Sequence, residues 1–481
     1  MMSSVTLKSS ATVPEMAAEP ILQKVSTVAQ KTDTRAFVVG GFVRDHFLAK
    51  KVKDIDFVVE GDGIAFAQAV ARHLRTRNVV VYKKFGTALV RYHGYELEFV
   101  GARKESYRGD SRKPDVEPAD LQADLSRRDF TINAMAVSLN RQDAWGLFDP
   151  FHGRQDLSLG VMRTPLEPQT TFHDDPLRIL RGIRFATQLQ FAIEEKTKLA
   201  MAEMHERLNI ISQERITDEF VKIVAAPVPS IGFRLLDEVN VLSLILPEFV
   251  ELKGVDEKDG HFHKDVFYHT LKVLDNVASV STGVPLRLAA IFHDIAKPRT
   301  KAFDANKGWS FHGHDEIGAR MLPAIFRRLR LPNEWLRYVQ KLTRLHLRPI
   351  ALTEEDCTDS AYRRLLFQAG AELEDLLTLC RADITSRNKE RRRQHLANFD
   401  FVVKRLEEVE QKDKMRAFQS PVRGDEIMAL LSIGAGPLVG RAKSMIEEAI
   451  LEGVIPNDYD AAKAYLLENI EQVTVHKKQK S

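Results

Sequence analysis

Cysteine is nearly absent. Cys357 and Cys380 are the only two in 481 residues. That excludes a disulfide-rich scaffold and a cysteine-based zinc site, and it fits a reducing, cytoplasmic home. No run of about 18 apolar residues occurs, so no membrane span is expected. Residues 1–18 are rich in Ser, Ala, Thr and Val. They carry neither a long apolar core nor an Arg-rich amphipathic pattern, and read as a frayed tail rather than a targeting segment. Charge of one sign is missing too: 70 Lys+Arg stand against 67 Asp+Glu, a net charge of +3. The balance excludes a wholly basic scaffold and leaves room for a local basic patch. No internal repeat of fixed period is visible. What is there is an ordinary composition, 28% charged and 44% hydrophobic. The length suggests about three domains, each able to bury a core.

The front of the chain reads as mixed α/β. Residues 19–31 are amphipathic and helical. Strand-like runs follow at 36–39, 55–59, 78–82, 87–91 and 96–100, with helices from Gly41 to about Ala49 and from Ile64 to Leu74. This pattern lasts to about residue 160. From about residue 171 strand signals nearly vanish. Pro227, Pro229, Pro247, Pro285, Pro298, Pro332 and Pro349 punctuate helical segments, which predicts an all-α region.

Four constellations in the first part carry chemistry. Gly40-Gly41-Phe42-Val43-Arg44-Asp45 joins a strand end to a helix start through two glycines. Such a turn aims backbone N–H groups at an anion, and Arg44 can clamp a phosphate. Asp54-Ile55-Asp56 heads a strand, so alternation puts both carboxylates on one face. Paired oxygen ligands suit Mg²⁺ together with substrate phosphates. Glu98 is a third candidate carboxylate, in competition with Glu96. Next comes Arg127-Arg128-Asp129-Phe130-Thr131-Ile132-Asn133. Arg128 can take a triphosphate or a base, and Asp129 or Asn133 can accept from a ribose hydroxyl. Last is Asp174-Asp175-Pro176-Leu177-Arg178, continued by Arg181 and Arg184 at helical spacing. One helix face then carries three guanidiniums with an acid at its head, a set that can read a base edge. Each motif alone also fits a plain turn, a solvated acid pair, a helix cap or a surface arginine stripe.

Together, GGFVRD (40–45), DID (54–56), RRDFTINAMA (127–136), DPFHGRQDL (149–157), DDPLRILRGIRF (174–185) and QERITDEF (213–220) resemble the class II CCA tRNA nucleotidyltransferase and bacterial poly(A) polymerase family with an HD domain. The resemblance implies an α+β fold. A nucleotidyltransferase head with a polymerase-beta-like mixed sheet would occupy 31–160, after an N-terminal tail and helix over 1–30. An all-α neck (161–255), an HD body (256–400) and a helical tail (401–481) would follow. It implies CCA addition to tRNA 3′-ends from CTP and ATP, with pyrophosphate released; poly(A), CC or A addition are the neighbouring activities. Gly40, Gly41 and Arg44 would hold the triphosphate, Asp54 and Asp56 the catalytic Mg²⁺. Arg128 and Asp129 would contact the nucleotide, and Asp175 and Arg178 the incoming base, with Arg181 in support. Residues 101–108 look like the loop that helps such a pocket switch from C to A. The family's Glu-Asp pair is Asp174-Asp175 here, a shorter first acid.

A second ligand set lies further on. His269, the adjacent His293-Asp294 and Asp383 resemble the ligands of the HD phosphohydrolase superfamily. The resemblance implies a divalent transition metal or Mg²⁺ there. His312, His314 and His346 could serve a second metal or a phosphate. The stretch 320–348 holds eight Lys/Arg and one acid, which makes Arg327, Arg328 and Arg330 candidate RNA contacts. A second basic run spans 387–393. The expected partners are tRNA, ATP and CTP, with no membrane and no DNA.

Overall fold

The structure is a computed structural model. It describes residues 13–469 apart from 107–114, 144, 255, 259–260, 264, 307, 354–356, 387 and 414–419. The chain divides into two compact units, residues 1–251 with 328–330, and residues 252–327 with 331–481.

The head of the first unit is built, among the described residues, on nine strands: β1 (Arg35–Val39), β2 (Asp54–Glu60), β3 (Val79–Tyr82), β4 (Thr87–Tyr92), β5 (Tyr95–Gly101), β6 (Arg103–Ser106), β7 (Asp115–Pro118), β8 (Ala136–Ser138) and β9 (Leu147–Phe148); two short strands follow them in the same unit. Seven form one sheet in the order β3-β4-β5-β2-β1-β8-β9. Only the β2–β5 pairing is parallel, so the sheet is mixed. Burial alternates at the start of β2: Ile55 and Phe57 face inward while Asp54 and Asp56 stay exposed. Phe57 stacks on Phe99 of β5 at 4.7 Å, and Phe66 meets Phe99 edge-on from the helix Gly63–Leu74. These rings turn the apolar side of β2 inward and leave its carboxylates at the rim. Asp62 caps that helix, accepting from the Ile64 and Ala65 N–H groups.

β6 and β7 pair as a separate ribbon, Arg103 opposite Pro118. The expected switching loop therefore includes the end of β5 and all of β6; residues 107–108 lie outside the described residues. The helix Leu177–Leu189 then packs against Gln213–Val224 and Pro229–Glu238.

In the second unit the helices Val266–Ala278, Val284–Phe292, Asn333–Leu345 and Leu373–Asp383 form the core. The long helix Lys389–Asp413 and three shorter helices follow. The wholly helical expectation after residue 171 needs a correction. Ala192–Ile193 pairs in parallel with Val161–Met162, and two antiparallel ribbons form at 256–263 and 302–310. In the last, Phe303 packs on Trp309 at 5.0 Å, a cross-strand aromatic contact over three-residue strands too short to show alternation. Among the described residues, no helix is long and apolar enough to cross a membrane.

Candidate active site and a candidate metal centre

The end of β1 lies beside the start of β2, with Val39 opposite Asp56. Gly40 follows with φ +70°, a left-handed backbone that glycine adopts without strain. A Cβ built there would lie 2.9 Å from Arg128 Nη1 and 3.7 Å from Asp56 Oδ2. One backbone position thus brings together the glycine turn, the second aspartate and the arginine of the later motif. On the other side of β2, Asp54 faces Glu96 and Asp56 faces Glu98 in register.

Asp54, Asp56 and Glu98 keep exposed surface, but protein crowds the Asp56 and Glu98 carboxyls. Loss of water raises the Asp56 carboxyl above its usual range; Arg128 opposes this, Asp54 adds to it, and Arg181 opposes it. Glu98 is raised as well, by burial first and then by the Asp56 charge. Carboxylates that repel one another at an open rim are a fitting oxygen donor set for a hard cation such as Mg²⁺.

Behind the rim lies a web of arginines. Asp124, fully buried, takes both Arg127 (2.5 Å) and Arg128 (3.0 Å). Burial opposes its charge, but the two guanidiniums win and hold its pKa low. Asp129 is buried and saturated in the same way. Its Oδ2 accepts from Arg181 Nε (2.8 Å) and Nη2 (2.6 Å), its Oδ1 from Asn133 Nδ2 (3.0 Å) and the Phe130 N–H (2.9 Å). Against desolvation, Arg181 keeps it firmly ionised. Asn133 Oδ1 accepts from Arg44 Nη1 at 2.8 Å, and Arg44 also forks onto Asp45. Phe185 sits under Arg44, Arg181 and Arg184, with Arg184 at 3.9 Å from the ring centroid.

The helix Leu177–Leu189 is fixed at its head. Asp175 Oδ1 accepts from the Leu177 N–H at 3.2 Å, and its Oδ2 lies 3.6 Å from Arg215. Arg178 Nη2 donates to the Arg127 carbonyl at 2.6 Å. Arg184 pairs with Glu219 at 2.6 Å. The three arginines of one helix face therefore reach three different acceptors. Sequence reasoning missed Asp124 and Glu219. Asp124 stands one turn before Arg127 and Arg128, a spacing that could have revealed it. Glu219 is 35 residues from Arg184; it lies within the QERITDEF motif, but nothing in that stretch marked it as the partner of Arg184. Of the candidate RNA contacts, Arg327 is exposed, Arg328 forks onto Glu248, and Arg330 pairs with Glu214.

The second unit gathers four histidines and two aspartates. His269 Nε2 lies 2.8 Å from Asp383 and 3.6 Å from Asp294, and His293 Nε2 lies 3.3 Å from Asp294 Oδ2. Asp294 Oδ1 faces His314 Nε2 at 3.2 Å and His346 Nε2 at 3.8 Å. Each imidazole uses Nδ1 on a protein oxygen: Thr385 Oγ1 for His269, and the Ala290, Phe311 and Thr343 carbonyls for His293, His314 and His346. That fixes the rings and turns every Nε2 inward, the arrangement of metal-ligating histidines.

Two triads result, His269–His293–Asp383 and Asp294–His314–His346, with the ligand atoms of each within 4.8 Å of one another. His293 Nε2 is buried and makes no hydrogen bond. Burial alone would lower the His293 pKa, yet Asp294 and Asp383 push it up to about 10. His346 falls to about 4, through burial and then the His293 charge. Imidazole and carboxylate gathered in this way can hold a divalent metal. Lys297, which sequence reasoning passed over, touches Asp294 Oδ2 at 2.6 Å. His312 is exposed and belongs to neither triad.

Three segments of the chain match known families. Residues 36–163 match the poly A polymerase head domain, 190–252 the probable RNA and SrmB-binding site of polymerase A, and 266–388 the HD domain. An A-adding tRNA nucleotidyltransferase of Deinococcus radiodurans is 30% identical over 89% of this chain and 94% of its own length. A CC-adding tRNA nucleotidyltransferase of Thermus thermophilus is 32% identical over 91% of this chain and 94% of its own. A multifunctional CCA protein of Methylococcus capsulatus is 34% identical over 73% and 82%. Among solved structures, a tRNA nucleotidyltransferase complexed with a primer tRNA and an incoming ATP analog is 28% identical. It matches 79% of this chain and 99% of its own, with a TM-score of 0.57.

Proposed function

The chain belongs to the tRNA nucleotidyltransferase family, and from that premise we propose that it adds CMP, CMP and AMP to tRNA 3′-ends, using CTP and ATP and releasing pyrophosphate. The observation that carries this reading is the convergence of Gly40, Asp56 and Arg128 at one rim. It supports transfer of a nucleotidyl group rather than simple binding, because clustered carboxylates repel phosphate unless a cation intervenes.

Asp54 and Asp56 would hold Mg²⁺. Bound there, Mg²⁺ supplies Lewis acidity toward the 3′-hydroxyl and the departing pyrophosphate. The protein's own residues do the rest. The Gly40–Gly41 backbone and Arg128 receive the triphosphate. Arg44 is occupied by Asp45 and Asn133, so it steadies the glycine turn from behind. Asp129 gives its four acceptor sites to Arg181, Asn133 and the Phe130 N–H, so it reaches the nucleotide through Arg181, which it holds in place, and not by taking a ribose hydroxyl. Asp175 and Arg178 choose the base from the head of their helix. We place the enzyme in the cytoplasm. The functional division is a head at 31–160, a neck at 161–255, an HD body at 256–400 and a tail at 401–481. RNA contact falls to the exposed Arg327 before the paired Arg328 and Arg330.

Incubation with Mg²⁺ and a tRNA transcript ending before CCA tests the reading. CTP and ATP are supplied singly and together, and the 3′-ends are sequenced. Addition of CCA that then stops is the expected result. CC alone or A alone would assign a partial enzyme, and long A tails a poly(A) polymerase.

A second reading concerns the histidine–aspartate centre. The buried, unbonded His293 Nε2 among carboxylates favours a divalent metal there. We propose that His269, His293, Asp294 and Asp383 hold it, with His314 and His346 available to a second. The matching activity is phosphohydrolysis of RNA ends or nucleotides. Metal analysis of the purified protein, with and without His293→Ala, tests the site.

A further inference from the structure

A cavity of about 240 Å³ opens beside the histidine–aspartate centre. His269 and Asp383 form one wall. Thr353, Thr385 and Ser386 add hydroxyls, and Ile350, Ile384 and Phe399 add apolar surface. The remaining lining residue is His395, which comes from the helix Lys389–Asp413. That helix belongs to none of the three matched family segments, which end at residue 388.

The register of this helix is informative. Phe399 is buried at the cavity, and His395 stands one turn earlier on the same face. Arg391 and Arg392 lie four and three positions before His395, so they occupy the next turn at the rim. Both are exposed, and Glu390, the acid of this turn, pairs with Arg393 instead. The face therefore runs from apolar floor to imidazole wall to guanidinium rim. Thr385, which lines the same cavity from outside this helix, holds His269 Nδ1 through its hydroxyl at 2.8 Å. The volume is below that of sites for drug-sized ligands. It suits one phosphorylated sugar, not a stretch of nucleic acid.

We propose that the Arg391–Arg392–His395–Phe399 face is the ligand-selecting wall of this centre, and that it admits a phosphate ester one sugar in size. Arg391 and Arg392 draw in the anion. His395 and the hydroxyls of Thr353 and Ser386 hold it, with the sugar against Phe399 and Ile350 and the phosphorus toward His269 and Asp383. The proposal rests on the second reading above, that the centre is a metal site. A free sugar phosphate and a phosphorylated RNA end present the same chemistry to this wall.

The test uses the full chain with isotope-labelled histidine and ribose 5-phosphate as the probe. Histidine ring resonances are followed by NMR during the titration, and the His395 signal is assigned by its loss in His395→Gln. The expected result is that the His395 and His269 signals shift together and saturate. In Arg391→Gln/Arg392→Gln the midpoint rises about tenfold, as loss of charge-assisted hydrogen bonds predicts. Restoring lysine at both positions recovers part of it. An unchanged midpoint in both variants, or no shift at His395, overturns the proposal. A fold defect is detected separately, because these variants should retain the metal content and thermal midpoint of the parent. Failure of the metal reading is also distinct: no bound metal, with the probe response intact, removes the metal and leaves the subsite. A short RNA with a 3′-phosphate separates the two sources. A midpoint below that of ribose 5-phosphate assigns the RNA end, and one above it assigns the free ester.

Discussion

Asp54 and Asp56 stand at an exposed strand start, while Asp294 is 1% exposed and ringed by imidazoles and a lysine. Both sites gather carboxylates, yet the first gathers them at the rim and sets its cations behind, and the second buries Asp294 and leaves Asp383 at a cavity wall. The front site spends buried charge on positioning. Asp124 and Asp129 are permanently paired with Arg127, Arg128 and Arg181, which leaves Asp56 to face solvent with a raised pKa. A site of this kind completes its cation's shell with substrate phosphates. The rear site offers enough nitrogen and oxygen to hold a metal without substrate. The lesson is that acids alone do not define a site's chemistry; what surrounds them decides whether the cation arrives with the substrate or resides in the protein.

The largest effect should come from separating the two sites genetically. Asp54→Ala or Asp56→Ala should lower nucleotide incorporation on the order of a thousandfold, as loss of transition-state charge stabilisation does. Metal content of the rear centre should not change. If both fall together, the sites are not independent and the comparison breaks. His293→Ala should do the reverse: rear metal is lost by elemental analysis while CMP and AMP incorporation continues.

The buried support of the front site comes next. Asp124→Asn leaves two arginines without a counter-charge and should cost about 3–5 kcal/mol. Thermal unfolding measures this. The sign with pH follows from the depressed pKa values of Asp124 and Asp129. Their contribution is complete above the ordinary carboxylate range and is lost as pH falls from that range through their depressed folded values. The wild type should therefore lose stability on acidification, and Asp124→Asn should flatten that dependence.

Acid should also act on catalysis. Asp56 must be ionised to hold a cation, and its pKa is raised. Without substrate, Mg²⁺ affinity should begin to fall at a higher pH than for an ordinary aspartate, and Asp54→Asn should shift that onset downward. A pH series of Mg²⁺ titrations checks both. The smallest effect is expected from packing. A Cβ on Gly182 would lie 2.5 Å from Met201 Cε and 2.7 Å from Phe130 Cζ. Gly182→Ala should cost about 1–3 kcal/mol through overpacking, with incorporation reduced only as far as Arg181 is displaced.

Much of the front unit was legible because its signals are local. Two glycines after an apolar run, alternating aspartates at a strand head and arginines at helical spacing each follow from a short stretch of backbone. Strands β1 to β5 fall within a residue or two of where alternation put them. The ribbons at 256–263 and 302–310 were not legible, since three-residue strands carry too few alternations to register. Arg44 shows a different limit. The motif places it beside a phosphate, but Asp45 and Asn133 already hold its guanidinium, and Asn133 is 89 residues away.

The sequence by itself determined the chemistry available: which carboxylates, imidazoles and guanidiniums exist, and which share a helix face or a strand face. Those relations repeat every 3.6 or 2 residues and need no distant partner. Only the tertiary structure decided which of these groups remain free to act. Asp129 is saturated by Arg181, Arg184 is held by Glu219, and Asp294 is shared between two histidine pairs. Apart from His293–Asp294, neighbours in the chain, these pairings join residues far apart in sequence. Their strength comes from burial, which is a property of the packed core and of no segment within it.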